Sequence, residues 1–377
     1  MARVSIIYPH FPHYRAPVLR ALEQSKRHEY HFFAGTDDFQ GIKAFRGDDL
    51  VKIEPITFRH NESRGTIDVA DFHQAVSAPF DATIILGNPR MMGAWLAVWQ
   101  ARRNGLKTAF WAHGWTRKEP YLKSKVRNFF FSRADKVLSY GTRAIELAER
   151  TGFDPNRISV IWNSLDWDAQ SELFHQYSRL SRKDLRTNIG MPRDVPIIGT
   201  VSRVTEICHY DWLIEAVAGL RKNGTMAEVW MVGDGPMLPE LKVQAEALGV
   251  PLHIQGEIYD EAVLAQQIMA VNCIASPGKV GLTAMHALAY GTPVVTHSDL
   301  DRQMPEVEAI VDGESGRFFE YGSILGLQKA LAQILGFEGD IDTLRSICRA
   351  SLEGRFTPQD QVRLIDDAMD RLINGKT

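Results

Sequence analysis

The segment from Val271 to Val295, Val-Asn-Cys-Ile-Ala-Ser-Pro-Gly-Lys-Val-Gly-Leu-Thr-Ala-Met-His-Ala-Leu-Ala-Tyr-Gly-Thr-Pro-Val-Val, leaves little freedom in how the chain folds. An apolar run ends at Ser276-Pro277-Gly278, and Leu282, Met285 and Ala289 then recur at helical spacing. Gly291 ends that helix, Pro293 forbids its continuation, and Val294-Val295 opens another buried strand. Strand, glycine loop, helix and strand in this order predict a parallel sheet covered by helices. The backbone N–H groups around Gly281 and Leu282 stand at the positive end of the helix dipole, which favours a phosphate, and a glycine at 281 admits an anion close to the backbone. The spacing alone is equally that of an ordinary strand-to-helix turn.

With 377 residues the chain exceeds one ordinary core, so two domains are expected. Buried strands are predicted at 4–8, 30–34, 51–56, 82–86, 107–112 and 136–140 in the first, and at 195–201, 228–232 and 271–275 in the second. The fold class is therefore α/β, with two doubly wound parallel sheets. Ligands of such sheets bind outside the carboxyl ends of the strands. That rule selects His10, His13 and Arg15 after the first strand, Asn88 and Arg90 after the 82–86 strand, and His113 after the 107–112 strand. In the second domain it selects Arg203, directly behind the 195–201 strand. A net charge of −3 gives no field for nucleic acid, and the twelve histidines and three cysteines show no metal-ligand spacing. No Gly-x-Gly-x-x-Gly follows the first strand, which disfavours a dehydrogenase.

Ser276, Gly281, Leu282, Ala287, Gly291, Thr292, Pro293, Val294 and Val295 stand in register with the nucleotide-sugar signature of the retaining GT-B glycosyltransferases of family 4, which the chain resembles. The resemblance is strong over about 195–320 and fainter over 1–170. It implies two Rossmann-like domains facing a cleft. The acceptor-binding domain would span 1–165, with a helix 357–374 returning to it. A linker and lead-in helix would occupy 166–192, and the nucleotide-sugar domain 193–356. It implies a nucleoside-diphosphate sugar, UDP- or GDP-linked, as donor, no cofactor and no metal. The acceptor would be a saccharide or lipid-linked saccharide, with transfer to a hydroxyl, retention of configuration and a role in polysaccharide or glycolipid assembly. In this family an arginine at the place of Arg203 clamps the diphosphate. Its lysine partner falls at Cys208, so Lys279 or His209 would supply the second charge. By the same resemblance, His113 reaches the donor sugar, the backbone near Ile258 reads the base, and Gly233-Asp-Gly-Pro236 supplies Gly233 and Gly235 to the donor site. Gly278, Lys279, Val280, Gly281 and Leu282 would cradle the diphosphate. The family's two glutamates fall at Gly278 and His286, so His286 would take over a hydrogen bond to ribose or donor. Two other readings stand beside the transferase: a non-catalytic nucleotide-sugar-binding subunit, and a nucleotide-sugar epimerase on the same fold.

The stretch 117–136 holds Arg117, Lys118, Lys123, Lys125, Arg127, Arg133 and Lys136 with Tyr121 and Phe129-Phe130-Phe131 interleaved. It reads either as a membrane-surface helix or as a helix whose phenylalanines face the core beneath a cationic outer side. Nowhere do about 18 apolar residues follow one another, so no spanning segment is expected. The first residues have too short an apolar run for a signal peptide. A cytoplasmic protein is expected, at most peripheral on the inner face of the cell membrane, with buried unpaired thiols.

Overall fold

The structure, a computed structural model, describes residues 1–38, 43–61, 66–69 and 72–375. The chain divides into two compact units, Met1–Asp166 with Gly354–Thr377, and Trp167–Glu353. In the first, strands β1 (Ala2–Tyr8), β2 (His28–Ala34) and β3 (Ile53–Pro55) are followed by an antiparallel pair, β4 (Phe58–Asn61) and β5 (Thr66–Val69). Then come β6 (Ala82–Leu86), β7 (Lys107–Ala112), β8 (Lys136–Ser139) and β9 (Ile158–Val160). Seven of these form one sheet in the order β3-β2-β1-β6-β7-β8-β9, parallel throughout. Its central strands are apolar on both faces because both are covered. Ile6, Ile84 and Trp111 pack against helices Ala16–Glu23 and Pro358–Asn374, while Ile7, Ile85 and Phe110 pack against Met92–Arg103 and Tyr121–Phe131.

The helix Pro358–Asn374 starts at Thr357, whose Oγ1 accepts from the Asp360 N–H at 3.1 Å. Polar contacts fix it on the first unit: Tyr30 Oη donates to Asp366 at 2.7 Å, and Ser164 Oγ donates to Gln361 Oε1 at 2.7 Å. The helix Tyr121–Phe131 combines both sequence readings. Phe130 and Phe131 are buried, Phe130 stacking on Phe110 at 4.4 Å between ring centres, while Tyr121, Leu122, Val126 and Phe129 are exposed. A 3.6-residue period puts neighbouring phenylalanines on different faces, so one run serves core and surface.

The second unit holds β10 (Ile197–Val201), β11 (Glu228–Val232), β12 (Leu252–Ile254), β13 (Cys273–Ser276), β14 (Val294–His297) and β15 (Gly316–Phe319). They form a parallel sheet in the order β12-β11-β10-β13-β14-β15. Residues 166–192, expected as a linker and the lead-in helix of the second domain, hold helices Trp167–Tyr177 and Arg182–Asn188, which cluster with this unit. The reason is a buried arginine: Arg349 lies 4.4 Å from the Trp167 ring centre and 4.2 Å from that of Phe174, and donates to Ser171 Oγ at 2.9 Å. Cys208, Cys273 and Cys348 are buried and unpaired. Among the described residues no helix is long and apolar enough to cross a membrane.

Both sheets reverse their winding once, between β1 and β6 and between β10 and β13. The carboxyl ends of these pairs lead into residues 9–15 and 87–90 in one unit, and 202–209 and 277–281 in the other. These are the switch points at which doubly wound sheets hold ligands.

Candidate active site

In the second unit, the loop 277–281 is pinned from below. Ser276 Oγ donates to the Lys279 carbonyl at 2.9 Å, Thr296 Oγ1 to the Ser276 carbonyl at 2.7 Å, and the Val280 N–H to Gln303 Oε1 at 2.8 Å. His297, fully buried, contacts the Gly278 carbonyl through Nε2 at 2.8 Å, while its Nδ1 accepts from the Asp299 N–H at 3.1 Å. A carbonyl can only accept, so Nε2 carries the proton and the ring is neutral. Burial pushes the His297 imidazole below its usual range, against the opposing pull of the Gly278 bond. Neither His297 nor Gln303 stood out in the sequence, because both reach the loop from the strand and turn that follow it.

Helix Leu282–Ala289 begins at Gly281, and Thr283 Oγ1 ties its first turn to the Val201 carbonyl at 2.8 Å. The Ala284 N–H donates to the Gly281 carbonyl at 2.9 Å, while the Leu282 and Thr283 N–H groups, as first-turn donors, have no acceptor within the helix. Lys279 is exposed and Leu282 half-buried, whereas Val280 is fully buried with its N–H committed to Gln303, so Val280 shapes the loop from beneath. Of the two loop glycines, Gly278 is the one packing demands. A Cβ there would lie 2.1 Å from the Ile207 carbonyl oxygen and 2.7 Å from the Cys208 carbonyl carbon, whereas at Gly281 the nearest atom is Met304 Cγ at 3.6 Å. A glutamate at 278 has no room beside the turn 205–209.

Arg203 follows β10 with its side chain exposed. The two glycines of the 233–236 turn hold its backbone. A Cβ at Gly233 would meet the Ser202 carbonyl oxygen at 1.9 Å, one at Gly235 the Val204 carbonyl oxygen at 2.1 Å, and the Val204 N–H donates to the Asp234 carbonyl at 2.8 Å. Both glycines therefore seat the arginine's loop. Cys208 Sγ donates to the Arg203 carbonyl at 3.2 Å, so the residue at the expected lysine position serves the loop by a bond and not by charge. His209 stacks on Trp212 at 3.9 Å between ring centres, with Nε2 3.1 Å from Tyr321 Oη. Ile258 is half-buried beyond β12.

His286, one turn into the helix, has Nε2 3.5 Å from Glu261 Oε1, which also accepts from Tyr290 Oη at 2.6 Å and from Gln170 Nε2 at 3.2 Å. Burial pushes the Glu261 carboxyl up, but the bonds from His286, Tyr290 and Gln170 outweigh it and hold it down to about 2. A carboxylate thus stands behind the His286 imidazole. It comes from another helix, Glu261–Ala270, where no signature spacing marks it.

In the first unit, a cavity of about 930 Å³ opens at the β1/β6 switch point, lined by His10, Arg15, Asn88, Arg90 and His113 among others. His13 is exposed and outside that lining. Arg15 is buried between aromatic rings, its guanidinium 5.0 Å from the Trp111 ring centre and 5.1 Å from that of Tyr140, and it donates to the Tyr140 hydroxyl. Asn88 Oδ1 accepts from the Arg90 N–H at 3.0 Å, an Asx turn closing the loop after β6. His113 is exposed, its ring 4.8 Å from that of Tyr140. The loop that bears it is clamped by Arg127, which grips Glu119 through two bonds of 2.7 and 2.8 Å and donates to the Gly114 carbonyl at 2.7 Å. That fork was invisible in the sequence, where Arg127 counted only toward a basic stretch.

Residues 195–336 match the family model described as glycosyl transferases group 1. The lipopolysaccharide core biosynthesis glycosyltransferase LpsE of Rhizobium meliloti (strain 1021) is 24% identical over 273 residues, 65% of this chain and 77% of that protein. Among solved structures, Anabaena Alr3699/HepE in complex with UDP superposes with a TM-score of 0.74 at 17% identity, covering 99% of this chain and 100% of the other. The same protein with UDP-glucose superposes with a TM-score of 0.69 at 16% identity, with the same coverage. With two doubly wound parallel units, the second matching the family model, the chain has the GT-B fold and resembles the group 1 glycosyltransferases.

Proposed function

We propose that the protein transfers a hexosyl group from a nucleoside-diphosphate sugar to a hydroxyl of a saccharide or lipid-linked saccharide, without a metal and with retention, in polysaccharide or glycolipid assembly. The observation that carries this reading is the second unit's switch point, where exposed Arg203, two residues past the Val201 carbonyl that holds Thr283, and exposed Lys279 stand on the loops leading to the first turn of helix Leu282–Ala289. In transfer the sugar–oxygen bond to the diphosphate breaks, and negative charge grows on the leaving oxygen. Two cations and a helix N-terminus aimed at that charge lower the barrier. His286, backed by Glu261, would hold ribose or donor hydroxyls, and the Ile258 backbone the base. His113, on the acceptor unit, would bond to a sugar hydroxyl beside the reacting carbon. UDP in the HepE complexes favours a UDP-sugar, with GDP-sugars the competing donor class.

The missing glutamates favour a second reading, a non-catalytic nucleotide-sugar-binding subunit. Thermal shift with UDP, UDP-glucose and GDP-mannose, followed by release of free sugar, separates the two. Binding at a hundred times Kd adds about 2.7 kcal/mol to the bound form and raises its melting temperature. Binding with slow sugar release supports the transferase, binding without it the silent subunit, and no shift with any nucleotide removes both.

The exposed Leu122, Val126 and Phe129, with Lys125 and Arg133 on the same helix and its end, support contact with an anionic lipid surface. Binding to phosphatidylglycerol vesicles should fall several-fold in Leu122→Asp with Phe129→Asp. Equal sedimentation of wild type and variant, or none with either, would remove membrane contact.

A further inference from the structure

The cavity of the first unit has a charge pattern that a neutral sugar does not need. Arg15, Arg90, Arg117, Lys123 and Arg127 all line it, and among the described residues no aspartate or glutamate does. Two of these cations are already paired, Lys123 at 3.3 Å and Arg127 at 2.7 Å from Glu119. Arg90 and Arg117 are exposed and make no ion pair among the described residues. Arg15 differs from both. It is 8% exposed, its Nη2 is used on the Tyr140 hydroxyl, and its Nη1 is buried without any hydrogen-bond acceptor.

A guanidinium presents five N–H donors in a planar fork, and a buried one in a native fold normally meets a carboxylate or several carbonyls. Here Trp111 and Tyr140 offer their ring faces and one hydroxyl, which solvates the cation but leaves the fork without an anion. The arrangement persists because the surrounding core fixes it: Trp111 and Phe11 are fully buried, and Arg15 sits in a short turn that starts at Pro12. Of the other polar groups near the fork, the Tyr8 phenol is held neutral by burial, and the carboxylate acting on neighbouring His10 is Asp38, outside the lining.

We propose that this pocket recognises an anionic saccharide, one bearing a carboxylate or a phosphate, with the charged group on Arg15 and with Arg90 and Arg117 drawing it in. The inference rests on the reading of the first unit as the acceptor side, and it specifies the acceptor class. A carboxylate or a phosphate oxygen pair matches the fork of Arg15, and the cavity volume of about 930 Å³ accommodates a hexose or disaccharide beside it.

Calorimetric titration of the full chain with glucuronate, glucose 6-phosphate, inorganic phosphate and glucose tests this. Glucuronate or glucose 6-phosphate is expected to bind at least ten-fold tighter than glucose, more weakly as salt is raised, and the better of the two identifies the charged group. Arg90→Gln, on an exposed side chain, should weaken binding three- to ten-fold, and Arg15→Gln should weaken it beyond detection. Where Arg15→Gln fails to fold, as judged by circular dichroism, Arg90→Gln and the salt dependence decide. Glucose binding as tightly as the charged sugars, or full affinity in Arg90→Gln, overturns the proposal. So does inorganic phosphate binding as tightly as glucose 6-phosphate, which would mark an anion site with no saccharide preference. UDP titrated into the glucose 6-phosphate complex separates the sources of phosphate: a one-for-one displacement assigns Arg15 to the donor's diphosphate and overturns the acceptor assignment. If UDP binds and the anionic sugars do not, this inference fails while the transferase reading stands. If UDP does not bind at all, the transferase reading fails first.

Discussion

Replacing Gly278 with alanine is expected to lower the stability of the second unit by about 3 kcal/mol and to remove nucleotide binding. The added Cβ would stand 2.1 Å from one backbone oxygen and 2.7 Å from a carbonyl carbon, neither of which belongs to a flexible side chain. Either the turn 205–209 or the glycine loop has to move. The Gly278 N–H to Cys208 carbonyl bond of 3.0 Å joins the two and would be lost in either movement. Since the loop also leads directly into helix Leu282–Ala289, a shift there misaims the helix N-terminus. The melting temperature should fall by roughly 10 °C, and the UDP-induced shift should vanish at concentrations that saturate the wild-type protein. Gly281→Ala is the control. Its nearest neighbour is 3.6 Å away, so stability should change little, while a bound phosphate would feel the methyl group. A Gly278→Ala protein as stable as wild type would show that the two loops are not packed as described.

The parallel strands were legible because each is a short apolar run closed by proline, glycine or a polar turn, as at Cys273–Ser276 before Pro277. Boundaries were less so. The predicted strand 51–56 is reduced to Ile53–Pro55, the edge strand two places out from β1, which pairs only with β2. Of the site, the positions behind strand ends could be read from one dimension, because chain order fixes which loops lie at a switch point. Contacts between separate elements could not. The Cys208–Gly278 contact, the His297 and Gln303 props, the Glu261 carboxylate behind His286 and the Arg127–Glu119 fork each join residues from separate elements. Gly233 and Gly235 show the same limit: the turn was recognisable, but that it seats Arg203 follows only from where β11 lies beside β10.

Arg203→Ala is expected to reduce kcat about a hundred-fold or more while leaving the melting temperature of the unliganded protein nearly unchanged. The side chain is exposed, so its removal empties no core, and the backbone that carries it stays fixed by the Asp234 and Cys208 bonds at 2.8 and 3.2 Å. In the proposed reaction, what would be lost is a cation beside a diphosphate whose charge rises as the sugar leaves. That interaction is stronger in the transition state than in the bound donor, so the loss should appear chiefly in kcat. Lys279→Ala makes the contrast. Its exposed side chain stands on the loop that, in the proposed reaction, would cradle the ground-state diphosphate, and its loss should raise the donor's KM more than it lowers kcat. Arg203→Lys should recover part of kcat, because the charge returns without the planar fork. Full turnover in Arg203→Ala, with the protein folded and saturated with donor, would remove the arginine from the reaction and leave leaving-group stabilisation to Lys279 and the helix N-terminus.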